Sequence, residues 1–95
     1  MKSHTTDRFR KLLERLPEEI RQQAGEAYKL FRQDPYHPRL HFKQVHQKQP
    51  IYSVRITYRY RAVGRLVPQG TPEGDVIIWF WIGSHEDYNK LLTQL

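Results

Sequence analysis

A run of seven apolar residues at positions 76–82 constrains the fold more than any other stretch of the chain. Gly74 lies just before it and Gly83 ends it. An uninterrupted apolar run of this length is typical of a strand that is buried on both faces. Ser84 follows, with Asp87 three residues later, which resembles a capping box with Asp in place of Glu. We therefore expect a central strand that leads directly into a helix, with an apolar stripe at Tyr88, Leu91, Leu92 and Leu95.

Two amphipathic stretches occupy the first third of the chain. From Thr6, apolar residues recur at helical spacing and predict a helix that ends near Arg15. Pro17 fits the first turn of a second helix, because proline is tolerated there and not in a helix interior. Asp34 before Pro35 should end that helix, since the residue before a proline avoids the α region. The two apolar stripes predict a helical hairpin packed on a sheet; they comprise Phe9, Leu12, Leu13, Leu16, Ile20, Ala24, Ala27, Tyr28 and Phe31.

Two further segments show the alternation of strands. Residues 39–46 predict one strand, and residues 51–66 predict a longer one. Because successive side chains of a strand point to opposite faces, an unbulged strand over 51–66 would carry Arg55, Arg59 and Arg61 on one open face. Proline and glycine recur in residues 67–75 and predict a loop that closes a hairpin with the apolar strand.

These elements predict an α+β fold in a single domain over residues 1–95. A helical hairpin at the N-terminus packs on a small antiparallel sheet, and a short helix ends the chain. Residues 1–5 are polar and are either a short edge strand or disordered.

The composition favours a polyanionic partner. Sixteen Lys and Arg outnumber ten Asp and Glu, which gives a formal charge of +6, and nucleic acid is the first candidate for such a small basic domain. A basic protein with no such partner is the alternative. The absence of cysteine excludes disulfides and thiolate metal sites. Neither a secretory signal nor an apolar run near the ~20 residues of a membrane span is visible, so we expect a cytoplasmic protein.

The arginines of the long strand are candidate phosphate ligands. Like charges spaced two apart on one strand face repel each other, and a bound phosphate would relieve this, since arginine binds phosphate oxygens in bidentate fashion. Lys43 and His41 share a face of the neighbouring strand and would extend the basic surface formed by Arg55, Arg59 and Arg61. The alternative is a solvated strand face whose arginines pair with carboxylates.

His85 and Tyr88 are a second candidate pair. At i and i+3 they lie on one side of the last helix, in its first turn, where N–H groups and the helix dipole favour an anion. Histidine is suited to proton transfer because its unperturbed pKa is about 6.5. The alternative is a surface or capping His85 and a core Tyr88. The histidines show no metal-ligand spacing, and no motif indicates a cofactor.

The order of elements and three segments resemble the RelE/ParE superfamily of bacterial toxins from type II toxin–antitoxin systems. The segments are Leu-His-Phe-Lys-Gln-Val at 40–45, the Arg-rich stretch over 52–63, and Ile-Gly-Ser-His-Glu-Asp-Tyr at 82–88. The strand that begins the family's fold is not evident in residues 1–5, and Thr57 stands where the family often has glycine. Ribonuclease members cleave mRNA in the ribosomal A site without a metal, by attack of the 2′-OH on the adjacent phosphorus.

The resemblance implies a role for each candidate residue. Arg59 and Arg61 would hold the phosphate, and Lys43 would stabilise charge or assist the base. His85 would be the acid or base, and Tyr88 would orient the substrate or stack on it. The implied partners are a cognate antitoxin, the ribosome and mRNA, with no small-molecule cofactor. Two alternatives stay open at this point: a gyrase-poisoning toxin of the same fold, and a non-catalytic module that binds RNA or protein.

Overall fold

The computed structural model describes all 95 residues, and five strands and three helices make up the fold. In chain order the elements are β1 (Lys2–Thr5), α1 (Asp7–Glu14), α2 (Glu18–Gln33), a short 3₁₀ helix (Pro38–Leu40), β2 (Lys43–Gln44), β3 (Ile51–Thr57), β4 (Tyr60–Val67), β5 (Val76–Ser84) and α3 (His85–Gln94). The sheet order is β1-β5-β4-β3-β2. The apolar strand β5 is packed on both faces, as predicted, but it lies between β1 and β4, and the middle strand of the sheet is β4. No helix of the structure has the length and hydrophobicity to cross a membrane.

The first strand makes the sheet mixed where the sequence predicted it to be antiparallel. β1 pairs with β5 in parallel register, from Lys2 opposite Val76 to Thr5 opposite Trp79. The indole Nε1 of Trp79 donates to the hydroxyl of Ser3 at 2.8 Å. This contact joins two residues far apart in sequence, which explains why a polar segment with no local strand signal is ordered.

Side chains cover the open edge of β1. The Tyr28 hydroxyl donates to the carbonyl of Ser3 at 3.1 Å, and Nη1 of Arg10 donates to the carbonyl of Thr5 at 2.8 Å. Both acceptors belong to an edge strand, whose outward groups have no neighbouring strand to bind. The two helices that follow β1 therefore also satisfy its edge.

The helical hairpin has the predicted limits. The Thr6 hydroxyl accepts from the N–H of Phe9 and begins α1. Pro17 is the residue before α2, and Asp34 is the residue after it. The threonine cap lies where the helical spacing was predicted to begin, and the backbone restriction before proline ends α2 at the predicted residue.

Two clusters of buried side chains lie on opposite faces of the sheet. The cluster under α1 and α2 holds nine buried residues: Phe9, Ala24, Phe31, Leu40, Val54, Ala62, Ile77, Trp79 and Ile82. The cluster under α3 holds five: Ile51, Val63, Trp81, Tyr88 and Leu91.

A bulge in β5 separates the two tryptophans. Gly64 of β4 pairs with Trp79, whereas the adjacent Val63 pairs with Trp81, so Phe80 is an extra residue on β5. Trp79 and Trp81 consequently point to opposite faces, although residues two apart in a regular strand share one face. Gly64 is where Trp79 crosses β4, since a Cβ at this glycine would lie 2.8 Å from Cε3 of the indole.

The prediction of one strand over residues 51–66 is wrong. β3 and β4 are antiparallel strands joined by a turn at Tyr58 and Arg59. The Thr57 hydroxyl accepts from the N–H of Arg59 at 3.2 Å, which gives the turn a hydroxyl-based hydrogen bond in place of glycine or asparagine. The three arginines therefore do not share one strand: Arg55 is in β3, Arg59 is in the turn and Arg61 is in β4.

The predicted strand over residues 39–46 is also too long. Leu40 ends the 3₁₀ helix, His41 follows it with φ 47° in the left-handed region, and only Lys43 and Gln44 pair with β3. His37 begins the 3₁₀ helix, because its Nδ1 accepts from the N–H of Arg39. This local hydrogen bond competes with extended structure before Lys43.

Candidate functional site

The site is built at the tip of the β3–β4 hairpin. Nη1 of Arg61 donates to three backbone carbonyls of that tip, at 2.7 Å to Thr57, 3.2 Å to Tyr58 and 3.1 Å to Tyr60. Nη1 carries two N–H groups, so one of them is shared between two of these carbonyls in a bifurcated bond. Arg61 therefore holds the turn in shape and still has the donors of Nε and Nη2 for another ligand.

The first turn of α3 is fastened to the same tip. The Ser84 hydroxyl accepts from the N–H of Asp87 at 3.2 Å and caps the helix, as the sequence predicted. The N–H of His85 donates to the carbonyl of Arg59 at 2.7 Å. This bond places the first residue of α3 beside the turn of the hairpin.

An open cleft of about 640 Å³ lies between the hairpin tip and the start of α3. Arg59, Arg61 and His85 all line it, and both Arg59 and His85 are exposed. Glu86 is exposed and is the one acidic residue of the lining. The structure thus brings together three of the predicted site residues, from a turn, a strand and a helix.

Arg55 and Arg61 face each other across the hairpin. They occupy opposite positions in the register of β3 and β4. Partial burial, together with the charge of Arg55, lowers the pKa of Arg61 below its usual value. The only carboxylate ion pair in the structure joins Asp7 and Arg10, so no carboxylate neutralises the arginines of the hairpin. A site for an anion gives two like charges a reason to stay in opposition.

His41 and Lys43 extend the basic surface away from the cleft. Nε2 of His41 lies 3.3 Å from Nη1 of Arg55. Lys43 is exposed and pairs with Ser53, two residues before Arg55, so the register places Lys43 and Arg55 on one face of the sheet. Neither His41 nor Lys43 lines the cleft that holds His85.

A family model described as a ParE-like toxin domain matches residues 18–90. This chain belongs to that family. The match runs from the start of α2 into α3, and so includes every residue of the cleft. A comparison with curated protein sequences finds no significant match.

Solved structures of toxins share the fold of this ParE-like chain. The YoeB/ParE toxin from Agrobacterium tumefaciens is 17% identical with a TM-score of 0.67, over 90% of this chain and 99% of that chain. RelBE2, a toxin–antitoxin complex from Mycobacterium tuberculosis, gives 20% identity and a TM-score of 0.66, over 88% and 96%. For the archaeal RelE-RelB complex from Pyrococcus horikoshii the values are 14% and 0.65, over 87% and 92%. The predicted RelE-like α+β fold is confirmed.

Tyr88 of this ParE-like domain is in the core. Its side chain is 6% exposed, and its hydroxyl bonds to the hydroxyl of buried Ser53 at 3.2 Å. The ring centroids of Tyr88 and His85 are 5.8 Å apart, so the two rings lie on one side of α3, as their spacing predicts. Tyr88 does not line the cleft. The geometry matches the alternative of a core tyrosine, which supports the ring of His85 from within.

The residue that sequence reasoning missed is Tyr58. Uniform alternation over residues 51–66 places it on the face opposite the arginines, whereas the turn places it in the lining of the cleft beside Arg59. No glycine, proline or asparagine marks this turn, so no local signal in the sequence reveals it.

The cleft offers cations and an imidazole to a ligand, and no group of three or more His, Asp or Glu side chains in the structure could hold a metal ion. Guanidinium donors suit a phosphate, and the exposed imidazole of His85 can give or take a proton beside it. The arrangement is therefore suited to binding a phosphodiester and protonating one of its oxygens.

Proposed function

We propose that this protein is the toxin of a type II toxin–antitoxin system and acts as a ribosome-dependent mRNA endoribonuclease. One observation carries the proposal: Arg59, Arg61 and His85 converge on one open cleft, and no carboxylate is ion-paired with either arginine. Membership of the ParE-like toxin family supports the toxin class. The activity itself rests on the chemistry of the cleft.

The proposed reaction is attack of an RNA 2′-oxygen on the adjacent phosphorus. The 2′-O–P bond forms as the P–O5′ bond breaks, the 2′-OH gives its proton to a base, and the 5′-oxygen takes a proton from an acid. The products are a 2′,3′-cyclic phosphate and a 5′-hydroxyl. Such a step needs donors around the phosphorane and a proton-transfer group within reach of an oxygen.

Three residues of the cleft and two basic residues beside it have roles in this proposal. Arg59 and the Nε and Nη2 donors of Arg61 hold the non-bridging oxygens, and His85 is the acid for the 5′-oxygen or the base for the 2′-OH. Lys43 and Arg55 add positive potential along the sheet and help to attract the RNA backbone. These cations supply the charge stabilisation, so the proposed mechanism is metal-independent.

The proposed partners are mRNA on the ribosome and a cognate antitoxin, which places the protein in the cytoplasm. Two of the similar structures are RelE-RelB or RelBE2 toxin–antitoxin complexes. We propose that an antitoxin of this chain covers the basic face or the helical hairpin, and so denies RNA access to the cleft.

Induction in growing bacteria tests the activity. His85→Ala and Arg59→Ala should relieve growth arrest and abolish new mRNA 5′ ends in primer extension, because each removes a cleft side chain. Arg32→Ala removes an exposed arginine of α2 and should stay toxic. Undiminished mRNA cleavage by both cleft variants would overturn the mechanism.

A gyrase-poisoning toxin is the second candidate. The observation that favours it is the family model that matches this chain, which is described as a ParE-like toxin domain. It predicts DNA-damage signalling with intact mRNA after induction. A protein that binds RNA and never cuts it, even with ribosomes, would instead be a non-catalytic binding module.

A further inference from the structure

We propose that Tyr58 is a stacking platform for one nucleobase of single-stranded RNA, at the mouth of the cleft that holds the phosphate. The inference rests on the proposed action on RNA and adds a binding residue to it. Tyr58 is 77% exposed, which makes it the most exposed large hydrophobic residue of the chain. An aromatic ring this exposed is available for stacking with a planar group.

The surroundings of Tyr58 differ from those of the other exposed tyrosine. Tyr36 is 72% exposed, but its ring packs edge-on against Phe42 at 5.7 Å and so belongs to the border of the core. The ring of Tyr58 is covered instead by the guanidinium of Arg55, whose Cζ lies 5.5 Å from the ring centroid. An aromatic ring with a cation on one side can still take a planar group on its exposed side.

The hairpin tip holds Tyr58 in place before any ligand arrives. Arg61 donates to the carbonyls of Thr57 and Tyr58, and the Thr57 hydroxyl accepts from the N–H of Arg59. The peptide units before and after Tyr58 are therefore both hydrogen-bonded. Pre-organisation of this kind lowers the entropy cost of ordering a platform when RNA binds.

Tyr58 lies in the same cleft as the proposed phosphate ligands. Arg59 is its neighbour in the chain, and both line the cleft with His85. We expect a strand whose phosphate lies between Arg59 and Arg61 to bring its attached base to the tip. Every base has a π-face, so we expect stacking that tolerates sequence, without readout by hydrogen bonds.

The test uses the full chain and an uncleavable oligonucleotide of 2′-O-methyl RNA, with affinity measured by fluorescence anisotropy. Tyr58→Ala should weaken binding by about 5- to 150-fold, the range for loss of one base stack. Tyr58→Phe should bind as the wild type does, whereas Tyr58→Leu, which is apolar but has no ring, should bind as weakly as Tyr58→Ala. Tyr36→Ala is the matched control and should leave affinity unchanged.

Abasic oligonucleotides locate the contact. Removal of the base should lower the affinity of the wild type at a single position of the oligonucleotide. At that position it should not change the affinity of Tyr58→Ala. Equal affinity of the wild type and Tyr58→Ala for RNA overturns the platform, and so does an effect of Tyr58→Ala on antitoxin binding alone.

The two proposals fail in different ways. The oligonucleotide cannot be cut, so it reports binding separately from cleavage. If the wild type binds it through Tyr58 but never cleaves mRNA, the ribonuclease proposal is refuted and the platform is not. If the wild type and Tyr58→Ala cleave mRNA equally well and bind RNA equally well, the platform is refuted and the ribonuclease is not. A wild type that binds no oligonucleotide overturns the platform whatever its cleavage activity.

Discussion

The two faces of the sheet differ in how completely they are covered. α1 and α2 lie over one face, where nine buried residues form the larger cluster. The ten-residue α3 lies over part of the other face, where the cluster has five buried residues. On this second face the sheet extends beyond α3, and the side chains there include Arg55, Arg61 and Lys43. The larger cluster supports the fold, and the incomplete cover of the second face leaves room for a ligand.

A matched pair of leucines tests this difference with the largest expected effect. Leu40 is 1% exposed in the larger cluster, and Leu91 is 8% exposed under α3. Leu40→Ala should cost about 3–5 kcal/mol of unfolding free energy and Leu91→Ala about 2–3 kcal/mol, because the tighter site leaves the larger cavity. Urea denaturation measures both. A larger cost at Leu91 would contradict the assignment of the main core to the helical hairpin.

A pair of glycines tests the crossing of β4 and Trp79. In Gly64→Ala the new Cβ would meet the indole at 2.8 Å and the carbonyl oxygen of Ile78 at 3.0 Å. Overpacking of this kind should cost about 1–3 kcal/mol. Gly25 in α2 has no neighbour within 4 Å of its Cβ position, so Gly25→Ala should stabilise the protein by about 0.5–1 kcal/mol. The melting temperatures of the two variants should shift in opposite directions. Equal shifts would show that the bulge relaxes to make room for the new methyl group at position 64.

The buried hydroxyl pair under α3 tests whether Tyr88 supports the cleft or takes part in it. Tyr88→Phe leaves the hydroxyl of Ser53 without its partner and should cost about 1–2 kcal/mol. The double variant with Ser53→Ala should cost less than the sum of the two single changes, as interacting groups do. Folded Tyr88→Phe should keep the proposed mRNA cleavage. Loss of cleavage at unchanged stability would instead assign the Tyr88 hydroxyl to the substrate.

The opposed arginines give the smallest expected change in stability. Burial is the main cause of the lowered pKa of Arg61, and Arg55→Gln removes the second cause, the neighbouring positive charge. At low salt it should stabilise the fold by a few tenths of a kcal/mol, and this gain should vanish in high salt, where the repulsion is screened. RNA affinity should fall at the same time. A loss of stability in Arg55→Gln would show that the guanidinium is held by favourable contacts, such as the one with His41.

Elements whose apolar residues form a clear local pattern could be predicted from the sequence. The helices show their apolar stripes, and Thr6, Pro17, Asp34 and Ser84 mark their ends. β5 is visible because both of its faces are buried. The proximity of His85 to the arginines also followed from placing α3 at the end of this strand.

Features that depend on contacts distant in the sequence could not be predicted. Residues 2–5 are polar, and they are ordered as β1 by pairing with β5 and by the bond from Trp79 to Ser3. The alternation of polar and apolar residues continues through the turn at Tyr58 and Arg59. The extra residue at Ile56 restores the phase that the two-residue turn would otherwise shift, so Arg55 and Arg61 still share a face. The alternation therefore predicted one strand where there are two, and it predicted the wrong face for Tyr58.

The bulge at Phe80 also provides the protein with two optical probes. Because it directs Trp79 under the helical hairpin and Trp81 under α3, each indole emits from a different layer. A variant with Trp79→Phe would report fluorescence only from the α3 layer, where Trp81 lies beside Tyr88, and Trp81→Phe would report only from the opposite layer. Recording both variants during unfolding reveals whether the two layers melt together.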